Sequence, residues 1–285
     1  MGHAGTLDPQ AEGLLIILVN KATRLFNYFL TLSKEYLADI NLGLVTDTYD
    51  MSGKVLVKKK VVNVNTKKVL SVLDKFKGKI RQVPPVYSSV KYKGKPSYVY
   101  ARSGHKVDLK PKIVDINSME LISLKGDLLT IRVNCGSGTY IRSLAYDIGS
   151  FLGVGASVKN LVRTSIGDYK MEDSSGVEEF CKKNIKRSEL EPGSHVMSVE
   201  ELLCRNGDIY VKDKFKKSVK NGSPVMGNMI KKPGALDFSL FSPETLLKIR
   251  SSNGNLLAVH KVLSKKFSDD LKDDSFKLTK NIIIF

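Results

Sequence analysis

One aspartate set among glycines lies at the start of the chain, in Gly2-His3-Ala4-Gly5-Thr6-Leu7-Asp8-Pro9-Gln10-Ala11-Glu12-Gly13-Leu14-Leu15. Pro9 biases Asp8 toward an extended backbone, and the flanking glycines let another backbone or a ligand approach closely. A carboxylate presented this way can act as a covalent nucleophile that divides one hard step into easier ones. The same residues also describe a plain turn in which Asp8 accepts from backbone amides. Other candidates follow: Tyr36, Tyr140, Arg142, Leu161 and Arg163. Each has an ordinary alternative. The tyrosines can be sheet or core residues, Arg142 a helix residue in a weak surface ion pair, Leu161 core, and Arg163 a phosphate contact or a salt-bridge partner. His3 can simply be mobile near a terminus.

Taken together and in order, these segments resemble the TruB family of pseudouridine synthases. The opening run resembles that family's Gly-His-x-Gly-Thr-Leu-Asp-Pro signature. Lys34-Glu35-Tyr36 resembles its Lys-x-Tyr segment, and Gln82-Val83-Pro84-Pro85-Val86-Tyr87-Ser88-Ser89-Val90-Lys91 the stretch before its tRNA-gripping insertion. Gly136-Ser137-Gly138-Thr139-Tyr140-Ile141-Arg142-Ser143-Leu144 resembles the second site motif, and Leu161-Val162-Arg163-Thr164 the Leu-x-Arg-Thr segment. The resemblance covers Gly2 to about Gly167. It implies isomerisation of uridine to pseudouridine in the T-loop of tRNA, at position 55 in family terms, without metal or organic cofactor. It implies Asp8 as nucleophile, Arg142 as its charge partner, Tyr36 as a stacking residue and proton shuttle, Tyr140 and Leu161 as pocket walls, and His3 as a brace for the RNA. Arg163 is carried over as a substrate contact.

That chemistry suits these residue types. The carboxylate must be ionised, which a nearby guanidinium favours. The target base must leave its stack, at a cost of a few kcal/mol, and stacking on an aromatic ring recovers roughly 1–3 kcal/mol. Tyr92-Lys93-Gly94-Lys95-Pro96-Ser97-Tyr98-Val99-Tyr100-Ala101-Arg102 interleaves basic and aromatic residues, which suits phosphates and bases together. Lys58-Lys59-Lys60, Lys182-Lys183, Lys186-Arg187 and 212–217 read as solvated faces unless they cluster beside the site. Segment 207–285 resembles, less closely, a PUA domain, a small RNA-binding β-barrel, expected on the acceptor-stem side of tRNA. Family members carry a preceding Lys-Pro-x-Gly-x-Thr-Ser stretch; here Gly2 follows Met1 directly, and an open sheet edge with lowered stability is the expectation. A second reading, of another class, is a non-catalytic tRNA-binding or tRNA-folding protein. A third, a synthase acting on guide-selected RNA, fits the compact length and lack of charged tails less well.

The whole composition agrees with a polyanionic partner. Lys and Arg number 46 against 29 Asp and Glu, giving a formal charge of +17, and each phosphate neutralised releases a counterion. At 42% hydrophobic and 26% charged the chain reads as globular. No run approaches the roughly 20 apolar residues of a membrane span, and no signal peptide is legible at the start. The three cysteines, Cys135, Cys181 and Cys204, form neither a metal pattern nor a disulfide framework. A cytoplasmic setting is expected, and no protein partner is implied.

The elements that must position the site are expected as an α+β catalytic domain on a mixed sheet over 1–170, with an RNA-gripping insertion at about 91–110. A connecting region over 171–206 and a small all-β domain over 207–285 follow. Leu14 to Val19 predicts a buried strand, 21–30 a helix and Tyr36 to Val45 a strand. Asn65 to Phe76 predicts a helix with Val69, Leu70, Leu73 and Phe76 on one face, stopped near Gly78. Val83-Pro84-Pro85 should be extended. Ile113 to Leu124 and Leu128 to Cys135 predict a hairpin. Thr139 to Leu152 predicts a helix ended by Gly153, and Val177 to Asn184 another.

Overall fold

The computed structural model describes residues 1–178, 196–204, 206–231, 244–263 and 278–285. The expected helix from Val177 to Asn184 lies mostly outside these residues. Lys182-Lys183 and Lys186-Arg187 lie wholly outside them. The chain divides into two compact units: His3–Ile17 with Asn27–Ser174, and Met1–Gly2 with Leu18–Phe26 and Ser175–Phe285.

The first unit is built on a seven-stranded sheet. Its strands are β1 (Ala11–Gly13), β2 (Lys34–Leu42), β3 (Gly78–Gln82), β4 (Lys112–Lys125), β5 (Leu128–Cys135), β6 (Ala156–Ile166) and β7 (Tyr169–Lys170). The order is β7-β6-β2-β5-β4-β3, with β1 lying parallel against the outer edge of β6. All other pairs in the sheet are antiparallel. Burial alternates along the central strands: Ala38, Ile40 and Leu42 on β2 and Leu129, Ile131 and Val133 on β5 are buried, and their neighbours are less so. That period of two is what a sheet with one face on a core requires. The opposite face carries cross-strand polar bonds, Thr130 to Asp39, Asn160 to Asp39 and Thr164 to Glu35.

Two helices, α1 (Thr66–Asp74) and α2 (Ile141–Leu152), contribute to this core. Asn65 caps α1 by accepting from Lys68 N, which satisfies one of the amides a helix start leaves free. Val69, Val72, Leu73 and Phe76 are buried, whereas Leu70 is 48% exposed. The expected apolar face is therefore turned by one position, so that Val72 replaces Leu70. Gly78 opens β3 after the helix has ended. Helix α2 ends at Gly153, in the left-handed region at φ 83°.

Three expectations are corrected. Leu14 to Val19 is not one buried strand: Leu14 and Leu18 are buried, but Leu15, Ile17 and Val19 are 39%, 49% and 53% exposed. Only one side of that segment meets protein. The strand expected from Tyr36 to Val45 breaks at Gly43, where φ is 80° and a Cβ would lie 2.4 Å from Lys59 O. Leu44–Thr46 turns away to form a hairpin with Val55–Lys58. The helix expected over 21–30 is a 3-10 turn, Asn20–Leu25, running into an α-helix at Phe26–Thr31.

The outer edge of β6 is covered piecewise by β1 at Leu161–Arg163, by β7 at Ser165 and Ile166, and by a bridge from Asp50 to Val158. The opposite rim, β3, carries Lys79 and Arg81, the kind of charge that discourages edge-to-edge pairing.

The second unit centres on a four-stranded sheet, β8 (Asp208–Tyr210), β9 (Leu246–Arg250), β10 (Leu256–Val262) and β11 (Thr279–Ile284), in that order. Ile209, Val211, Val219, Leu247, Ile249, Ala258, Val262 and Leu278 build its own apolar core. Among the described residues no helix is long and apolar enough to cross a membrane.

Candidate active site

Asp8 projects from the loop before β1, and a backbone bond from Ala11 N to Asp8 O closes the Asp-Pro turn. Its carboxylate meets Arg142 in a two-pronged pair: Arg142 Nε donates to Oδ2 at 2.8 Å and Nη2 to Oδ1 at 2.7 Å. This fork geometry fixes orientation as well as charge. The asymmetry of exposure matters most. The Asp8 side chain is 33% exposed and that of Arg142 only 7%. A ligand can reach the carboxylate but not the guanidinium.

Arg142 is held on its remaining sides by main-chain oxygens. Nη1 donates to Thr48 O and Nη2 to Tyr87 O, each at 3.1 Å. Asp50 lies beside it, with Oδ2 at 3.5 Å from Nη1. The other oxygen of Asp50 accepts from Thr48 Oγ1 and Ser52 N. One guanidinium thus serves two carboxylates, one open to solvent and one nearly buried.

The start of α2, which presents Arg142, has no side-chain cap of its own. Gln82, 1% exposed at the end of β3, supplies the link: Tyr140 N donates to Oε1 at 2.8 Å and Nε2 donates to Tyr140 O at 3.1 Å. Ser143 Oγ donates to Val83 O at 2.7 Å. These bonds tie the helix start to the extended Val83-Pro84-Pro85 run.

The loop bearing Asp8 is held by Arg163. This side chain is 1% exposed; Nε donates to Leu14 O at 2.8 Å and Nη2 to Gly5 O at 3.0 Å. Leu14 N donates back to Arg163 O. Gly13 is required opposite it: φ is 101°, and a Cβ would sit 2.3 Å from Arg163 O. The expectation that Arg163 contacts substrate is corrected on this point. Its donors are directed to two backbone carbonyls and to the Tyr36 side chain, and no phosphate reaches a side chain so enclosed.

Tyr36 and Tyr140 both stand within the field of Asp8. Burial pushes the Tyr36 hydroxyl up from its usual value, against the pull of the neighbouring Arg163. Burial likewise pushes Tyr140 up, opposed by a hydrogen bond with Ser88 and by Arg142. Both are neutral phenols at neutral pH. Leu161, 7% exposed, shares a small cleft with Asp8, Ala11, Asp50, Val158 and Lys159. His3 is exposed. Lys34, next to Tyr36 on β2, is buried and donates to Phe29 O, Leu30 O and Leu32 O at 2.7–3.0 Å. Burial, then Arg163, lowers its ammonium to about 8.

The structure therefore brings Asp8, Arg142, Tyr36, Tyr140 and Leu161 together and leaves His3 on the surface. Thr48, Asp50 and Gln82 join the site unannounced. Gln82 stood within a motif already noted, whereas Asp50 carried no signal except its place in Asp47-Thr48-Tyr49-Asp50, a polar run between two strands.

The insertion forms a small hairpin, Lys91–Tyr92 with Lys95–Pro96, then a helix at Ser97–Arg102. Tyr92, Tyr100 and His105 pack edge to face. Arg102 covers the ring of Tyr98, which is 38% exposed. A bond between Ser88 Oγ and Ser97 Oγ at 3.1 Å anchors this arm next to Tyr87.

A sheet with two helices on one face and an Arg-locked, solvent-facing aspartate at its rim is the architecture of an enzyme site for a ligand larger than the cleft. Residues 1–141 match the family model described as TruB family pseudouridylate synthase (N terminal domain), and residues 142–203 match the tRNA pseudouridylate synthase B C-terminal domain. A tRNA pseudouridine synthase B of Clostridium tetani is 37% identical over 225 residues, covering 79% of this chain and 75% of that protein. One from Endomicrobium trichonymphae is 44% identical over 173 residues, covering 61% and 75%. Among solved structures, a Cbf5-Nop10-Gar1 complex contains a chain matching 99% of this one over 76% of its own length, with a TM-score of 0.71 at 24% identity. The chain belongs to the TruB family of pseudouridylate synthases.

Proposed function

We propose that this protein isomerises uridine to pseudouridine in the T-loop of tRNA, with Asp8 as the reacting carboxylate. The observation that carries this reading is the paired but open carboxylate of Asp8, held at 2.7 and 2.8 Å by a guanidinium that solvent cannot reach. An ionised carboxylate starts either available route, attack on the ribose or removal of a sugar proton leading to a glycal. In both, the glycosidic C–N bond breaks, the base turns, a bond forms between C5 and C1′, and the proton on C5 is lost. Tyr36, a phenol that is protonated at neutral pH and that burial raises further, can pass that proton only by giving up its own. Its ring and that of Tyr140 suit an extruded base, and Leu161 suits the wall beside it. The positive balance of the chain and the basic, aromatic arm at 91–102 suit a folded RNA.

On this reading the protein works in the cytoplasm, His3 braces the RNA loop, and residues 207–285 form a PUA-like module near the acceptor stem. The test is tritium release from C5-tritiated uridine in a T-loop tRNA transcript. The parent releases tritium and Asp8→Ala falls to background. Equal release by both proteins rules out Asp8; tRNA binding without release by either favours a non-catalytic RNA-binding role.

A further inference from the structure

The loop that delivers Thr48 and Asp50 to Arg142 contains a residue with no stated part in the chemistry. Tyr49 sits at φ 61°, in the left-handed region that a bulky residue rarely occupies. Such a conformation costs on the order of 1–3 kcal/mol and persists only where surroundings impose it. Here they do. The Tyr49 ring stacks on Tyr146 of α2, with centroids 4.3 Å apart and planes 23° apart. Tyr49 O accepts from Val158 N at 2.9 Å. The neighbouring Asp50 bridges to Val158 on β6.

Tyr146 lies one helical turn beyond Arg142, so both side chains share a face of α2. The loop therefore docks on that face twice, through Thr48 O and Asp50 on the guanidinium and through a ring on a ring. We propose that Tyr49 is a positioning residue, whose stacking on Tyr146 holds the left-handed turn that aims Thr48 O and the Asp50 carboxylate at Arg142, and so sets the fork offered to Asp8. This rests on the reading of Asp8 and Arg142 as the reacting pair. Tyr49 is not among the residues that line the cleft, and it acts through Arg142.

The stack, not the phenol oxygen, carries the effect, so Tyr49→Phe should keep parental behaviour. Tyr49→Ala loses the ring, while the left-handed conformation still costs a residue with a Cβ, so the turn is free to relax. It should lower the single-turnover rate of tritium release roughly ten- to a hundredfold, as small misplacements at reacting groups do, with tRNA affinity unchanged. Tyr146→Ala should give the same loss, and the double variant no further loss, because both remove one contact. A second readout needs no substrate. In arginine-labelled protein, the Arg142 Nε–H resonance, protected by its bond to Asp8, should exchange with solvent faster in Tyr49→Ala than in the parent or Tyr49→Phe. Parental exchange and parental turnover in Tyr49→Ala would overturn the proposal. Asp8→Ala run alongside separates the two claims: if it retains turnover, the assignment of Asp8 falls, while the exchange comparison still decides the role of Tyr49.

Discussion

In the catalytic unit, Lys34, Arg142 and Arg163 are 7%, 6% and 1% exposed; Lys34 directs its donors to carbonyls of the turn just before it, and Arg142 and Arg163 direct theirs to carbonyls or carboxylates of distant segments. In the second unit, His260 on β10 is fully buried and has one partner among the described residues. Thr279 Oγ1 lies 2.8 Å from Nδ1 and already accepts from Val225 N. The other ring nitrogen, Nε2, has no partner among the described residues. Burial pushes this His down to about 4. The first unit keeps charges inside and surrounds them with acceptors, which fixes loops in place. The second also buries a charge, Lys248 at 4% exposed, but pairs it with a part-exposed carboxylate, Asp208 at 3.4 Å, which also meets Arg250 beside Glu200. Buried charge is costly unless fully paired; in the first unit the buried guanidinium groups are held by the loops that build the site, which marks where geometry has to be held.

The comparison can be broken most severely at Arg163. Arg163→Leu strands Leu14 O and Gly5 O and should destabilise the first unit by about 1–3 kcal/mol for each stranded carbonyl, with loss of tritium release. Urea unfolding is the check, and an unchanged midpoint would mean that the clamp is dispensable. The next effect belongs to His260. Its folded value lies below 6.5, so between about 6.5 and about 4 the unfolded chain takes the proton first. Stability is then full above that window and declines as pH falls through it, by on the order of 3 kcal/mol in all. Hydrogen exchange of β10 across pH 7 to 4.5 should show this decline, and His260→Leu should flatten it. The smallest effect is expected at Glu200, 49% exposed: Glu200→Ala should change stability by less than about 1 kcal/mol. A larger loss would show that rim pairs in the second unit matter as buried ones do in the first.

Much of this was legible in the residues. The helix begun at Asn65, Gly153 as a stop and the hairpin of β4 and β5 follow from local chemistry and hold. Leu14 to Val19 did not read correctly, because an apolar run does not disclose that only one of its sides is covered. Leu70 and Val72 are separated by the phase of the helix, which pattern alone leaves uncertain by one position. For the site, Asp8 and Arg142 stand 134 residues apart, and no spacing rule joins them; the family resemblance did. Arg163 read as an RNA contact because a charge in a motif looks the same whether it faces solvent or a carbonyl. Asp50 and Tyr49 went unremarked because their role exists only once a loop folds onto α2.

The acceptors gathered around Arg142 come from Asp8, Thr48 and Tyr87, at separations of 134, 94 and 55 residues. Contacts so distant in sequence are the slow ones to form, since each closes a long loop before it gains anything. The guanidinium can reach its final arrangement only when the first strand, the hairpin loop, the extended run and α2 have all met. During refolding, catalytic competence should therefore appear in the last phase and in a single step, which makes turnover a reporter of the completed fold and leaves a half-folded chain without a reactive carboxylate pair.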